Sequence, residues 1–385
     1  MRTSINFETS VAHTSFRQED VNVSKSTPIY QTSVFRFSDL DELEGFYEGK
    51  SNYLYTRMGN PNSDELATAV AELEDAESGV ATSSGISAIL AGMLSVLKSG
   101  DHLVASEDLY GGTVQLLTGE LSRFGIEVSY ADFTNEHSIR AMMRSNTKMI
   151  YSESITNPFL RVENIEQMVR IAKEFNLVSM IDNTFATPYL VKPVEFGVDL
   201  VAHSGTKYIG GHSDVSIGVV VGRADLIAEA RIRVVSLGAN VSPFESWLTV
   251  RGLKTLALRM EKQTKNARSL ADALAKNAVV HKVYYPNHVL PKGDGAMVTI
   301  ELSEQVDVRN FFASLGWITI VPSLAGVETT VSYPIATSHR ALSEEDQARL
   351  GINSHVIRIS VGIEHIDDII KQFEKAIQTS VNERN

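Results

Sequence analysis

The apolar positions of this chain change period along its length, and those changes divide it. Over residues 1–60 polar and aromatic residues mix without a sustained period, which predicts an extended arm with one short helix near 38–47. Such an arm buries too little surface to order itself, so it is expected to pack on another subunit. From Asn62 a helical period sets in: Leu66, Ala69, Val70 and Leu73 recur at three- and four-residue spacing, and Asn62 with Glu65 reads as a capping box. Apolar runs at 79–82, 102–105, 148–151, 177–181 and 200–202 predict strands, and the stretches 85–97, 113–124 and 165–175 predict helices. This alternation predicts an α/β fold with a mainly parallel sheet flanked by helices. Ligands of such sheets gather outside the carboxyl ends of the strands. A long helical stretch over 244–276 follows. Strands near 296–302, 318–321 and 355–361, with helices near 308–315 and 366–379, predict a smaller α/β domain. The expected division is an arm over 1–60, a large domain over 61–248 and a C-terminal domain over 249–385. No internal repeat, low-complexity linker or heptad run interrupts it.

Composition narrows the function. The 385 residues suffice for two domains and a large core. A net charge of -12 argues against nucleic acid or an anionic membrane as the main partner. Cysteine is absent, which excludes disulfides, thiolate metal sites and cysteine nucleophiles. Residues 1–6 lack the apolar core of a signal peptide, and the longest apolar run, near 217–221, is strand-sized. A cytoplasmic protein is expected. The ten histidines form no His-x-x-x-His pair, so no metal site is expected.

The chemistry concentrates past the predicted strand ends. In His203-Ser204-Gly205-Thr206-Lys207-Tyr208-Ile209-Gly210-Gly211-His212 one lysine sits among hydroxyls and glycines. A lysine that attacks a carbonyl must be reachable and partly neutral, which burial and nearby positive charge promote. Ser204 and Thr206 offer hydroxyls to a phosphate. Asp182 ends the run 177–181; an aspartate there is often only a cap or turn residue, but a buried carboxylate could also keep a heterocyclic nitrogen protonated. Amine, phosphate contacts and acid together suit pyridoxal 5′-phosphate (PLP), whose aldehyde, phosphate and ring nitrogen need those three partners. The turn Thr82-Ser83-Ser84-Gly85-Ile86-Ser87 opens a predicted helix, whose exposed amides attract phosphate, although many strand-to-helix turns look alike. Tyr110 could stack on a planar cofactor and exchange protons with substrate, or simply cover core. Arg358 lies in an apolar strand and needs an anion: an amino-acid carboxylate or a structural partner.

Together these motifs resemble the Cys/Met-metabolism family of PLP enzymes, the trans-sulfuration enzymes that include cystathionine γ-synthase, cystathionine β- and γ-lyases, methionine γ-lyase and O-acylhomoserine sulfhydrylases. The resemblance runs from Tyr53-Leu54-Tyr55-Thr56-Arg57-Met58-Gly59-Asn60-Pro61 to Arg358-Ile359-Ser360-Val361-Gly362-Ile363-Glu364. It implies a fold-type-I PLP enzyme acting on a small amino-acid substrate, assembled as a homotetramer of two catalytic dimers. It implies that Lys207 anchors the cofactor and later shuttles a proton, that Asp182 pairs with the ring nitrogen, and that Tyr110 stacks on the ring. Gly85, Ile86, Ser204 and Thr206 would hold the phosphate, and Tyr55 and Arg57 would reach the phosphate of the neighbouring subunit. Ser323, Asn157 and Arg358 match positions around the substrate carboxylate and the cofactor.

Four positions bear on the substrate. Leu54 and Gln115 replace an acid and an arginine of cystathionine γ-lyases, which implies a neutral distal pocket. Glu328 matches a site that favours γ- over β-chemistry in relatives. Gly112 stands where methionine γ-lyases usually carry a cysteine. The expected activity is γ-elimination or γ-replacement on a sulfur amino acid or an O-acylhomoserine. Cystathionine β-lyase chemistry, or an aminotransferase on the same fold, are the competing enzymes, and a non-catalytic binding protein is the competing class.

Overall fold

The computed structural model describes residues 6–13, 24–50, 53–286, 290, 292–340 and 343–381. Part of the expected arm, residues 1–5, 14–23 and 51–52, lies outside the described residues. The described arm is mostly without regular structure and holds two short helices where one was expected, an N-terminal helix Phe7–Ala12 and Leu40–Tyr47, the latter capped by Asp39, whose side chain accepts from the Glu42 N–H.

Seven strands form the larger sheet: β1 (Ser78–Thr82), β2 (His102–Ser106), β3 (Glu127–Ala131), β4 (Thr147–Glu153), β5 (Val178–Asp182), β6 (Leu200–Ser204) and β7 (Gly218–Gly222). Their order across the sheet is β1-β7-β6-β5-β4-β2-β3. The ladder from β3 to β6 is parallel, and β7 runs antiparallel to both β6 and β1. Reversal of β7 leaves β1 pointing the same way as β6, so Thr82, Glu153, Asp182 and Ser204 all end at one edge.

Side chains alternate across these strands because the strand period is two. Val104, Ile150, Ile181 and Val201 pack into a core with helix Pro61–Glu74, while Leu103, Ala105, Leu200 and Ala202 pack with helix Gly85–Leu94 on the other face. Burying one such leucine or valine stabilises the fold by about 1.5–3 kcal/mol. The central strands are buried on both faces, which is why they read as unbroken apolar runs.

A second, antiparallel-dominated sheet holds β8 (Val280–Tyr284), β9 (Met297–Leu302), β10 (Thr319–Ile320), β11 (Thr330–Ser332) and β12 (Val356–Ser360), ordered β10-β11-β12-β9-β8. Helices Val308–Ala313, Leu256–Leu274 and Ile366–Ser380 cover its core.

Local departures from the periodic pattern have local causes. The helix expected to start at Asn62 starts one turn-entry earlier: Asn60 is the cap, accepting from the Asn62 N–H, and Pro61 takes the first helical position that its missing N–H suits. The stretch 244–276 is two helices, Pro243–Leu253 and Leu256–Leu274, with a turn at Lys254 and Thr255. After Gly111–Gln115 the helical run continues as a π-helical segment, Leu116–Leu121. β3 and β8 escape the pattern because their mixed, half-exposed side chains form no apolar run.

Candidate active site

The strand ends open into a cavity of about 350 Å³ between the two sheets. Lys207, Asp182, Tyr110, Ser323, Asn157 and Arg358 all line it, brought from positions up to the far end of the chain. Gly85, Ile86, Ser204 and Thr206 line its other side. A larger depression of about 1280 Å³ beside the N-terminal helix, at Phe7, Glu72 and Tyr189, carries none of these ten residues.

Lys207 follows β6 in a tight turn, where its N–H bonds the Ser204 carbonyl and its Nζ donates to the Ser323 Oγ at 2.7 Å. Burial, aided by the positive charge of Arg358, lowers its pKa to about 8. The turn is pinned from behind by buried Arg259, which donates to the carbonyls of Tyr208 at 2.7 Å and Gly252 at 2.9 Å. Nothing in the sequence pattern singles out Arg259, because the turn oxygen that it holds, that of Tyr208, lies 51 residues away.

On the other side, Ser84 caps helix Gly85–Leu94 by accepting from the Ser87 N–H, which leaves the Gly85 and Ile86 amides directed at the cavity mouth. Gly85 lies so close to β6 that a Cβ there would meet the Ser204 Cβ at 2.7 Å. Only a glycine leaves that cradle open. The Thr206 hydroxyl is engaged with the backbone of Ile217, donating to its carbonyl at 3.1 Å and accepting from its N–H at 2.9 Å.

Asp182 is fixed by the Thr184 N–H, which donates to its Oδ1 at 2.8 Å; the Thr184 Oγ1 in turn accepts from the Ser204 N–H at 2.8 Å. Burial raises the Asp182 carboxyl, against the pull of the Thr184 side-chain and backbone hydrogen bonds. Thr184 therefore ties the acid to the phosphate cradle, a role not visible from sequence. Arg358 is buried and donates from Nε to Ser332 at 3.1 Å and from Nη1 to the Asn157 Oδ1 at 2.8 Å. Both partners are neutral, and no carboxylate pairs with it among the described residues. Burial lowers its pKa to about 10. A buried guanidinium with neutral partners is poised for an incoming carboxylate.

Tyr110 is half-exposed at the cavity mouth, and its ring lies against Gly112, where a Cβ would meet the ring at 2.5 Å. The remaining predicted residues are elsewhere. Tyr55 and Arg57 stack on one another on a separate face near Asn240 and Pro243, and the Arg57 Nη1 donates to the Val235 carbonyl. Leu54, Gln115 and Glu328 do not line the cavity; Gln115 and Glu328 are exposed.

The donor set fits PLP: a glycine-opened cradle of amides and a serine hydroxyl for the phosphate, a depressed-pKa amine for the aldehyde and a strand-end acid for the ring nitrogen. The amine gives a pH prediction. Its neutral form is the nucleophile, so cofactor uptake by the cofactor-free protein should rise with pH through about 8. Removing the neighbouring positive charge in Arg358→Leu favours the ammonium, so the midpoint should move upward. Stopped-flow absorbance across pH reads it; a midpoint that stays or falls would remove Arg358 from the account.

Comparison with known proteins agrees on the cofactor. The model of the family described as Cys/Met metabolism PLP-dependent enzyme matches residues 8–378. A cystathionine β-lyase of Lactococcus lactis subsp. cremoris is 37% identical over 382 residues, covering 96% of this chain and 98% of that one. An L-methionine γ-lyase of Fusobacterium nucleatum subsp. nucleatum is 39% identical over 368 residues, covering 91% and 93%. Among solved structures, a cystathionine γ-synthase from Xanthomonas oryzae pv. oryzae in complex with cystathionine superposes with a TM-score of 0.92 at 35% identity, covering 98% of this chain and 99% of that one. Similar identities thus span several distinct activities.

Proposed function

Because the chain belongs to the family of Cys/Met metabolism PLP-dependent enzymes, we propose that it catalyses γ-elimination or γ-replacement on a small sulfur amino acid or an O-acylhomoserine. Its cofactor is pyridoxal 5′-phosphate, and it is a C–S lyase or γ-synthase of sulfur amino-acid metabolism. The observation that carries the finer reading is the inventory of charge in the cavity. Its charged or acidic residues are Lys207, Arg358, Asp182 and Glu153. The first three match the cofactor aldehyde, the substrate carboxylate and the ring nitrogen, and Glu153 holds backbone. Among the described residues none is left to hold a second zwitterionic end, and the rest of the wall that they form, including Ile86, Phe185, Leu324, Thr337 and Ser338, is neutral. At about 350 Å³ the cavity also lies at the small end of the ~300–1,000 Å³ range of ligand sites.

When bound, the cofactor supplies an electron sink that eases loss of the substrate's α proton. Arg358 orients the substrate by its carboxylate, with Asn157 and Ser332 fixing the guanidinium plane. Lys207 takes the α proton on Nζ, for which a pKa near 8 matches the working pH. Asp182 keeps a proton on the ring nitrogen. The Tyr110 hydroxyl delivers a proton to the departing group. Gly85, Ile86 and Ser204 hold the phosphate; the Thr206 hydroxyl joins them by turning away from Ile217.

Tyr55 and Arg57 complete the cavity of a neighbouring subunit in this reading. Their placement outside their own cavity supports it, as do the exposed Val34, Leu40 and Tyr47 on the arm. We expect a dimer of dimers in the cytoplasm; among the described residues no helix is long and apolar enough to cross a membrane.

A substrate panel tests the proposal: methionine, homocysteine, cysteine, cystathionine, and O-acetyl- and O-succinylhomoserine with a thiol, followed by 2-oxo acid, ammonia and thioether analysis. The best small substrate should exceed cystathionine in kcat/KM by about tenfold or more, the lower end of what one pocket mismatch supplies. A preference for cystathionine would sink the neutral-pocket argument. The likeness to a cystathionine β-lyase favours β-elimination as the second reading, which pyruvate in place of 2-oxobutyrate would reveal.

A further inference from the structure

Glu153 is a buried acid that the proposed reaction leaves without a task. It ends β4 as Asp182 ends β5, and the two stand in register as paired residues of adjacent parallel strands. Its Oε1 accepts from the Tyr110 N–H at 2.7 Å, at the entry to helix Gly111–Gln115. It is 5% exposed and still reaches the cavity wall. This bond is a side-chain tie on the Tyr110 backbone, and it joins the loop carrying the Tyr110 ring to the strand edge carrying the acid.

We propose that Glu153 is a positioning residue: it clamps the Tyr110 backbone to the floor of the cavity, so that the tyrosine ring and hydroxyl stand at a fixed height above Asp182. This rests on Tyr110 acting at substrate as described above.

The charges around Glu153 are consistent with a clamp that works as a neutral acid. Burial, the carboxylate of Asp182 and that of Asp108 raise it well above the usual carboxylate range, opposed by the Tyr110 N–H and Arg161. Arg161 is mainly engaged by Asp108, at 2.8 and 2.7 Å from Nε and Nη2, and by Glu163 at 3.3 Å. Tyr151, the remaining titratable neighbour, is buried and held un-ionised by its surroundings. Two buried carboxylates side by side do not both ionise readily. A proton on Glu153 leaves Asp182 as the anion. The hydrogen bond from Tyr110 N–H needs only a carbonyl oxygen, so a neutral acid or an amide can make it equally well.

Four variants of the holoenzyme test this: E153A, E153Q, Y110A and the double variant E153A/Y110A. Two readouts are followed: kcat for 2-oxo acid release from the best panel substrate, and circular dichroism of the cofactor's visible band. E153A should lower kcat by about 10²-fold, the cost of roughly 1 Å of misplacement, while KM changes less. E153Q should recover at least about tenfold of that loss, since its amide oxygen can accept the same bond. The double variant should be no slower than Y110A within about twofold, since residues that act through one another are not additive. The E153A dichroism should move toward that of Y110A. Additive losses, an E153Q as slow as E153A, or unchanged dichroism in E153A would each overturn the clamp. A Y110A enzyme with full kcat would instead overturn the acid role of Tyr110, while the dichroism would still decide whether Glu153 sets the ring.

Discussion

Lys207→Ala is expected to remove the visible absorption of the lysine-bound cofactor and to lower turnover by at least about 10³-fold, because in the proposed mechanism one amine serves as both anchor and positioned base. The structure explains why no neighbour can substitute. Among the described residues Lys207 is the one lysine lining the cavity, its Nζ is held by Ser323 at 2.7 Å, and its turn is pinned by Arg259. Stability should not suffer. The folded pKa, about 8, lies below the ordinary lysine value, so the cost in stability is full below about pH 8 and fades as pH rises from there toward that ordinary value. At neutral pH the alanine removes that cost, and the melting temperature of the cofactor-free protein should hold or rise slightly. A retained visible band would refute the assignment of Lys207. The same variant tests the shared site. In a random mixture with Arg57→Ala subunits, half the dimers are mixed, and each mixed dimer has one intact site, so about a quarter of wild-type sites should return. Absence of any recovery would place Arg57 outside the neighbouring cavity.

Asp182→Asn is expected to lower kcat on the order of 10²–10³-fold while the protein still binds PLP. The amide keeps the shape and can still accept the Thr184 N–H, but it cannot hold a positive ring nitrogen. Removing one partner of a buried ion pair costs about 3–5 kcal/mol, and each 1.36 kcal/mol is a factor of ten in rate. The neighbouring Glu153 makes this sharp. It stands beside Asp182 and is itself raised by burial, so it could in principle take over the charge. One of its two oxygens, Oε1, is however committed to the Tyr110 N–H at 2.7 Å. Single-turnover loss of the substrate's α proton measures the effect directly. A kcat within about threefold of wild type would show that the ring nitrogen finds its partner elsewhere.

Much of the site was legible in the chain because strand ends and turns are local events. Asp182 stood out because it terminates an apolar run, and Lys207 because hydroxyls and glycines crowd it. Glu153 carries the same signal, an acid closing the run at 148–151, and could have been found by asking the same question of every strand. Arg259 and Thr184 could not, since their partners are backbone atoms or side chains of other elements. Leu54, Gln115 and Glu328 show the opposite case: positions marked by resemblance that one chain does not bring to the cavity.

The sequence by itself determined the family, the cofactor chemistry and most of the succession of strands and helices, because periodicity, turns and motifs are properties of neighbouring residues. Only the tertiary structure decided the strand order β1-β7-β6-β5-β4-β2-β3 and the reversal of β7. That order places β1 near β6 across one strand, and so brings the Gly85 turn against Ser204. It sets β4 beside β5, and so pairs Glu153 with Asp182. It also folds the second sheet over the strand ends, delivering Arg358 to a lysine 151 residues away in the chain. A cavity is a convergence of elements distant in sequence, and burial, which sets the charge states of Lys207, Asp182 and Glu153, exists only once they have converged.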